Sequence, residues 1–566
     1  MYIYKTKLTK DKFMNSSDSI LKPKYLEELN TYCVSFKEKS ISALKFSEFR
    51  LYDETGDRDT YARSYYGERR TRLTSFGIRV WLYHEADDIR ELEDILWAIC
   101  DEYTWSLPAH LEGILTNDSI SPYTIDLFAA ETGQSIAEIL SLCGDYIHEK
   151  VKKRCIDEVF KRIINIFEAG EIEWEKCLGN WSAVCGGCVG MAALYLVEDE
   201  ERLKKITDRA ADSCNMFIQS CTDDGACLEG VSYWDYAMQY YTAFEELLNE
   251  RTGRSIIGDI EKIKKLAEFP SLVIFENNIP VRFGDVGERP LVFGTLCKLN
   301  ERFGVRIPVM QCCGELIDHR GRTCGAIRNI AWFNNSALHS NPRHDDIIFN
   351  FAQWAVLNRG DSRLVIKGGF NEEGHNHDDV GSFMYIKNGR VLCDDFGAAN
   401  YSKAYWSSFN TQSISHSVPI VNNELQGHGK EFAADIFEKH GDKGIHVSFG
   451  GAYGGKTGLV SLNRYAEIEE SGLKICDCFE FEADENIITE RIVTKYTPKI
   501  IDNKVRLFED NKPIAEIICP DDTSVKISDT EYEKFLGDGI QKVYMIDFSK
   551  EISGKKYETE YSIKPV

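Results

Sequence analysis

The sequence lacks the uninterrupted apolar stretch of roughly 18 residues that a membrane-spanning helix needs. Its first residues, Met1-Tyr2-Ile3-Tyr4-Lys5, include a basic residue, but no apolar segment of the kind found in secretory signals follows them. We therefore expect a cytoplasmic protein without a membrane partner.

Disulfide and metalloprotease signatures are missing as well. The 18 cysteines follow no framework of regular spacings, so we expect free thiols in a reducing compartment. Cys185 and Cys188 form a CxxC pair, but no second pair lies at zinc-ribbon spacing. Their apolar helical surroundings favour packing. No HExxH motif occurs, which argues against a zinc-dependent hydrolase.

Basic residues are in short supply. The chain has 67 Lys and Arg against 91 Asp and Glu, a net charge of −24. This balance argues against non-specific binding to nucleic acid or to an anionic membrane. An anionic substrate is still compatible with it, because a cleft can be locally basic. The main basic concentration, Arg63, Arg69, Arg70 and Arg72, is either a solvated face or a grip for sulfate or carboxylate groups.

Length and periodicity indicate at least two domains. A chain of 566 residues is too long for one compact core. In residues 86–103 and 151–167 apolar side chains recur at helical spacing, and similar blocks fill the first half of the chain. After about residue 345 the period becomes two, with hairpin signals such as Asn388-Gly389. Paired helices predict an α/α toroid or solenoid, and the short strands predict an antiparallel sandwich. We place the domains at 1–335 and 336–566.

Histidines and acidic residues cluster at the start of the β-rich half. His375 and His377 are two residues apart, which places both imidazoles on one side of an extended strand. Asp394 and Asp395 follow within 20 residues, and His416 comes next. Imidazole and carboxylate groups are what a zinc ion or a proton-transfer site needs. We therefore expect one site on neighbouring strands; the alternative is a set of separately satisfied polar residues.

The helical half offers further candidates in loops that precede predicted helices. Each combines a polar or aromatic side chain with a glycine or proline, as loops that approach a ligand do. Packing loops and helix caps have the same composition, so this signal is open to both interpretations. The residues are Trp105, His110, Asn180, Trp181, Glu229, Tyr233, Trp234 and Tyr236.

Taken together, these motifs resemble the heparinase II/III family of polysaccharide lyases. The β-rich half contributes His375-Asn-His377-Asp, Gly381-Ser-Phe383, Asp395-Phe-Gly397, Tyr401, Ser415-His416-Ser-Val and Gln426. The helical half contributes Trp105…Pro108-Ala-His110, Asp126-Leu-Phe-Ala-Ala-Glu-Thr132, Asn180-Trp181 and Glu229-Gly-Val-Ser-Tyr-Trp234. The resemblance covers roughly residues 50–430 and implies an α+β multidomain fold, an incomplete α/α toroid followed by an antiparallel β-sandwich.

The resemblance also implies a carbon–oxygen lyase that cleaves uronic-acid glycans by β-elimination. In that mechanism Asn180 binds the uronate carboxylate, Tyr233 is the base and also a candidate acid, and His375 is its partner. Tyr236 is a rival for the tyrosine role. Substrate contacts would come from Glu229, Trp234, Trp181, Tyr236, His110 and Trp105.

Zinc-bearing members of the family hold the ion with two histidines and an aspartate. By resemblance these are His377, Asp395 and His416, with Asp394 as an alternative ligand. The zinc would be structural and would not take part in the chemistry.

The expected substrate is a glycosaminoglycan such as heparin, heparan sulfate, hyaluronan or chondroitin. Alginate or another polyuronate is the nearest alternative, and a sugar-binding protein without catalysis is an alternative of another class. Homodimer formation is left open by the sequence.

Overall fold

A computed structural model describes residues 2–17, 19–287, 289–308, 314–339, 345–401, 408–502, 504–520, 522–534 and 539–566. The chain divides into two compact units. The helical unit consists of Met1–Cys221, Tyr233–Ala267 and Pro290–Ser340, and the β unit of Thr222–Ser232, Glu268–Arg289 and Asn341–Val566. Two short segments from the first half of the chain therefore belong to the β unit.

Helices dominate the first 340 residues, as the periodicity predicts. The α-helices are Asp11–Met14, Leu21–Lys37, Phe46–Phe49, Leu51–Thr55, Asp59–Ser64, Thr71–Tyr83, Ala86–Cys100, Leu127–Cys143, Glu149–Val159, Asn165–Ala169, Asn180–Leu196, Glu200–Ser220, Val231–Thr252, Ile260–Val273, Phe293–Phe303 and Thr323–Ala331. Two π-helical segments, Tyr65–Arg70 and Phe160–Ile164, join the helices on either side of them. In the described part of the chain, no helix has both the length and the apolarity to cross a lipid bilayer.

The helix Ala86–Cys100 forms from its amphipathic pattern. Leu92, Ile95, Leu96 and Ile99 are fully buried, as predicted, and acidic residues occupy the first turn, where the helix dipole favours them. Burying each such side chain stabilises the fold by about 1.5–3 kcal/mol.

Three of the four clustered arginines do not bind a ligand, whereas Arg63 is exposed, as expected for a solvated face. Arg69, Arg70 and Arg72 are buried, so both interpretations offered for them from the sequence are wrong. Arg69 and Arg70 donate to the Glu102 carboxylate at 2.8 and 2.6 Å, and Arg72 pairs with Glu91 at 2.8 Å. These guanidinium groups tie helices of the helical unit together.

The CxxC pair has the packing role that the sequence favours. Cys185 and Cys188 are fully buried free thiols within the helix Asn180–Leu196. Burial raises the pKa of both thiols well above the usual value, so neither is a reactive nucleophile.

The second half of the chain is built from antiparallel strands. One sheet has five strands, in the order Ile347–Phe349, Trp354–Arg359, Ser362–Lys367, Phe383–Lys387 and Arg390–Cys393. A second has eight, in the order Ile436–His440, Gly444–Ser448, Leu459–Glu469, Gly472–Phe481, Lys556–Pro565, Lys512–Ile518, Lys504–Glu509 and Thr497–Ile501. A third has four, in the order Ser524–Glu533, Ile540–Ser553, Glu485–Thr494 and Ile420–Val421. Two-stranded pairs join Ile274–Phe275 with Ile279–Pro280 and Phe370–Asn371 with Gly429–Ala433.

One hydrophobic core unites these sheets. Side chains from the five-, eight- and four-stranded sheets, such as Leu364, Ile475 and Ile492, belong to a single buried cluster. In the five-stranded sheet, the strands Phe383–Lys387 and Arg390–Cys393 are joined by the Asn388-Gly389 turn predicted from the sequence. Both of its residues have positive φ, 50° and 71°, as a type I′ turn requires.

Candidate active site and metal centre

A short loop, residues 283–287 of the β unit, lies against the HxH segment. Gly284 has a φ of +69°, and a Cβ atom there would lie 2.3 Å from the carbonyl oxygen of His375. Because glycine has no side chain, the two backbones can meet, and the Asp285 N–H donates to that same oxygen at 2.9 Å. His375 itself has a left-handed backbone, with a φ of 55°. This contact fixes where Asp285 points.

Three side chains of the described residues contact the buried Asp285 carboxylate. His375 Nδ1 lies 3.0 Å from one oxygen, His377 Nε2 lies 3.1 Å from the other, and the Tyr401 hydroxyl donates at 2.7 Å. Burial alone would raise the pKa of Asp285, but the hydrogen bonds from both imidazoles outweigh it and hold the pKa below the usual range. The carboxylate is therefore ionised and accepts only, so both of these ring nitrogens carry protons.

His377, Asp395 and His416 come together as the sequence predicts, but they lie in loops between strands. The predicted extended strand through His375 and His377 is therefore wrong. His377, Asp395 and His416 are all buried, and one ligand atom from each lies within 4.8 Å of the others. His416 Nδ1 is 2.8 Å from an Asp395 oxygen. The charge of Asp395 and this hydrogen bond outweigh burial, so the pKa of His416 is raised and that of Asp395 is lowered.

The donor set fits a metal ion. His377 Nδ1 is buried and has no hydrogen-bond partner among the described residues, although its Nε2 is held by Asp285. His416 is held in the same way, since its Nε2 lies 3.1 Å from the Asn410 carbonyl oxygen. The Nδ1 atoms of His377 and His416 and a carboxylate oxygen of Asp395 are thus the atoms that could bind a metal ion. Two imidazoles and one carboxylate suit zinc, which takes four ligands of this kind in tetrahedral sites.

Asp394, the alternative ligand, is engaged elsewhere. It is buried, forms an ion pair with Arg282, and accepts the Asp395 N–H at 3.0 Å. Asp395 faces His416, so the geometry favours Asp395 over Asp394 for the metal cluster.

Glu229 lies beside the HxH segment in the β unit. A Cβ atom on Gly374 would be 3.0 Å from Glu229 Cγ, and the Glu229 side chain is buried. The loop that carries Glu229 is fixed to the 283–287 loop, because the Gly287 N–H donates to the Ser232 hydroxyl at 3.0 Å. The β unit therefore brings Glu229, Asp285 and His375 into one neighbourhood.

In the helical unit, the structure brings His110 and Trp181 together. Their ring centroids are 4.9 Å apart, and Trp181 is half-buried next to the buried Asn180 at the start of the helix Asn180–Leu196. His110 Nδ1 lies 2.7 Å from Asp126, and Arg58 donates to His110 Nε2 at 3.2 Å. Burial lowers the pKa of His110, and the charge of Arg58 lowers it further. The hydrogen bond and charge of Asp126 raise it, but by less. His110 is therefore a neutral ring at pH 7.

The rival tyrosines differ in environment. Tyr233, in the first turn of the helix Val231–Thr252, is half-buried. Tyr236 is buried, with the Arg322 guanidinium 3.9 Å from its ring centroid. Burial, and after it the charge of Glu131, raises the pKa of Tyr236 well above 10 despite Arg322. Tyr236 therefore stays protonated at neutral pH and is poorly suited to act as a base.

Trp105 and Trp234 are core residues. Both are almost completely buried, and their indole N–H groups donate to the carbonyl oxygens of Ile99 and Leu266, at 3.0 and 2.8 Å. Side chains placed in this way pack the helical unit and do not reach a sugar, so we withdraw them as substrate contacts.

Sequence reasoning missed Asp285. It lies in residues 270–345, a segment without clear periodicity, and about 90 positions from the histidines that it binds. The only local signal is the Gly284-Asp285 pair, which is typical of any turn.

No family model matches the chain, and no curated protein matches it in sequence. Solved structures match it over almost its full length. Heparinase III is 14% identical, with 100% of this chain and 87% of that chain covered and a TM-score of 0.66. Heparan sulfate lyase HepC from Pedobacter heparinus is 13% identical, with 99% and 86% covered and a TM-score of 0.59. Chondroitin AC lyase from Streptomyces coelicolor A3 is 8% identical, with 96% and 82% covered and a TM-score of 0.54.

These similarities establish the fold. The predicted architecture, an incomplete α/α toroid followed by an antiparallel β-sandwich, is confirmed. The chain therefore has the fold of the polysaccharide lyase structures named above.

Proposed function

We propose that the protein is a polysaccharide or oligosaccharide lyase that cleaves uronic-acid glycans by β-elimination. The observation that carries this proposal is its fold, which it shares over 96 to 100% of its length with heparinase III, HepC and chondroitin AC lyase. The product would carry a C4–C5 double bond in the uronate ring.

The reaction sets three chemical demands. The C5 proton becomes acidic only when the neighbouring carboxylate is neutralised or hydrogen-bonded. A base then removes that proton, the C4–O4 bond breaks as the double bond forms, and an acid protonates the departing O4. No water is consumed, so the site has to supply both proton transfers.

Three residues match these demands. The Asn180 amide donates to the uronate carboxylate, which stabilises the negative charge that develops when C5 loses its proton. Tyr233 removes the C5 proton. His375 supplies positive charge or the second proton transfer through Nε2, the ring nitrogen that Asp285 does not hold. Positive charge near Tyr233 is needed, because an unperturbed tyrosine with a pKa of about 10 is a weak base at neutral pH.

Glu229, His110 and Trp181 are the remaining candidates for sugar contacts. The neutral His110 ring and the half-buried Trp181 form an aromatic pair that suits the apolar face of a sugar. The Glu229 carboxylate lies beside the HxH segment, where it would bind sugar hydroxyl groups or orient the loop.

His377, Asp395 and His416 would hold one zinc ion, a water or another residue completing the tetrahedron. The zinc would supply a structural cross-link between segments of the β unit. The proton transfers belong to the residues described above.

A glycosaminoglycan is the preferred substrate, because the solved structures of the same fold include heparan sulfate and chondroitin lyases. Alginate or another polyuronate needs the same C5 chemistry and is the second candidate. Binding alone needs no base, so the combination of Tyr233, His375 and Asn180 argues against a sugar-binding protein without catalysis.

The test is to incubate the protein with heparan sulfate, chondroitin sulfate, hyaluronan and alginate, and to follow the ultraviolet absorbance of the unsaturated uronate. We expect absorbance to rise with one class of glycan and to stay flat with the His375→Ala variant. Binding of a glycan without any rise in absorbance would replace the lyase with a sugar-binding protein.

A further inference from the structure

Asp285 sits between two imidazoles that the proposed function uses differently. One of its carboxylate oxygens faces His375, the proposed proton-transfer residue, at 3.0 Å, and the other faces His377, a candidate metal ligand, at 3.1 Å. The Tyr401 hydroxyl donates at 2.7 Å to the oxygen that faces His375.

The two imidazoles meet this carboxylate through different ring nitrogens. His375 uses Nδ1, whereas His377 uses Nε2. Because an ionised carboxylate only accepts hydrogen bonds, it holds the proton on Nδ1 in one ring and on Nε2 in the other. A neutral His377 then keeps its lone pair on Nδ1, the buried atom that has no partner among the described residues.

We infer that Asp285 is a positioning residue that assigns opposite tautomers to His375 and His377, and so couples the proposed catalytic imidazole to the metal site. Only the part of this inference that concerns His375 rests on the proposed function. The part that concerns His377 stands on the geometry of the β unit. Carboxylates placed behind metal-binding histidines orient the ring and strengthen it as a ligand.

Asp285→Asn is the informative variant. Its side chain keeps the shape but offers one acceptor oxygen and one NH₂ donor, so it cannot accept from both imidazoles. Whichever ring faces the NH₂ group has to present a lone pair there. For His377 this would move the proton to Nδ1 and block metal binding through that atom.

The matched control is Asp378→Asn, which removes a carboxylate charge next to His377 in the HxH segment. The Asp378 carboxylate is directed to the ring of His428, with 2.9 Å between Oδ1 and Nδ1, and Asp378→Asn leaves the Asp285 carboxylate and its two imidazoles in place.

Zinc affinity is measured first, by titrating each purified protein with Zn²⁺ alone after chelator treatment. We expect Asp285→Asn to bind zinc on the order of 10- to 100-fold more weakly than the parent. Asp378→Asn should bind as the parent does. Equal zinc affinity in Asp285→Asn and the parent would overturn the inference whether or not any glycan is cleaved.

Kinetics on a cleaved glycan provide the second measurement. Misplacing a reacting group by about 1 Å can cost 100-fold in rate, so kcat of Asp285→Asn should fall by about that factor while KM changes little. A KM increase with unchanged kcat would contradict a positioning role for His375.

If Asp285→Asn does not fold, the tautomers of His375 and His377 can be measured in the parent protein. Two-bond ¹H–¹⁵N spectra of the metal-free protein, assigned with His375→Gln and His377→Gln variants, report which nitrogen of each ring carries the proton. We expect Nδ1–H in His375 and Nε2–H in His377. The same tautomer in both rings, or the reverse pair, would overturn the inference.

Discussion

Tyr233 and Tyr236 lie three residues apart on one helix, yet their environments give them different chemistry. Tyr233 is half-buried, whereas Tyr236 is buried near Glu131 and its pKa is raised well above 10. We predict that Tyr233→Phe retains the fold and lowers kcat on the order of 100- to 10,000-fold, as expected on removal of a general base. Tyr236→Phe is the matched control and should keep most of the activity.

Steady-state kinetics and thermal melting of both variants check this prediction. If Tyr236→Phe loses turnover and Tyr233→Phe keeps it, the tyrosine role belongs to Tyr236. If neither substitution lowers kcat, a tyrosine base is excluded.

Asp394 and Asp395 are adjacent but face different partners. Asp395 lies 2.8 Å from His416, and Asp394 pairs with Arg282. We predict that Asp395→Asn loses most of its bound zinc. Asp394→Asn should keep its zinc and lose roughly 2–3 kcal/mol of unfolding free energy, because a buried guanidinium loses its charged acceptor. Elemental analysis and denaturant unfolding separate the two; zinc loss in Asp394→Asn alone would reverse the ligand assignment.

At this scale, local sequence predicts some of the site but not the rest. The HxH pair, Asp395 and His416 are visible because ligand-type residues lie close together along the chain. Asp285 is invisible, since nothing near it in sequence indicates the distant imidazoles. Trp105 and Trp234 illustrate the opposite error: an aromatic loop and an aromatic core position have the same composition.

Among the structural elements, the loop 283–287 determines the geometry of the site. A Cβ atom on Gly284 would clash with the His375 carbonyl oxygen at 2.3 Å, whereas Gly253, with a nearly equal φ of +71°, has no atom within 4 Å of its Cβ position. Gly253→Ala should therefore cost only the left-handed backbone strain, roughly 1–2 kcal/mol. Gly284→Ala should cost roughly 1–3 kcal/mol more, from the steric clash.

Denaturant unfolding of the two glycine variants measures this difference. Gly284→Ala should also lower lyase activity, because it moves Asp285 and His375, whereas Gly253→Ala should not. Equal losses of stability would mean that the loop can move away without cost.

Periodicity predicts regular elements well and irregular ones poorly. The stripe of residues 86–100 and the hairpin at Asn388-Gly389 follow from local pattern alone. The π-helical segments Tyr65–Arg70 and Phe160–Ile164 do not, because stretches of 6 and 5 residues are too short to show a period of their own. The buried arginines of the first segment also escape prediction, since their partner Glu102 is about 30 residues away.

In the molecule as a whole, the two units are interleaved along the chain. Segments 222–232 and 268–289 belong to the β unit, although helical sequence surrounds them. They bring Glu229 and Asp285 to the HxH segment, so the β unit depends on residues far from its strands in sequence. Periodicity along the sequence assigns each segment to the same domain as its sequence neighbours, so it does not predict that these two segments belong to the β unit.

The candidate metal ligands His377, Asp395 and His416 come from distant parts of the β unit, so an ion bound by them should raise global stability. An ion that binds only the folded state stabilises it by mass action, by about 2.7 kcal/mol at a free concentration 100 times Kd. We predict that a chelator lowers the melting temperature of the parent protein and that added zinc restores it. Activity at temperatures well below melting should persist longer, because the proposed proton transfers do not use the ion.

The variant Asp395→Asn is the control for this experiment, since it should melt at the same temperature with and without chelator. A parent protein that contains no zinc, melts unchanged in chelator and keeps full activity would reduce His377, Asp395 and His416 to a hydrogen-bonded network. A chelator that abolishes activity without lowering the melting temperature would instead assign the ion a part in the chemistry. The expected order, stability lost before activity, separates a structural zinc from both alternatives.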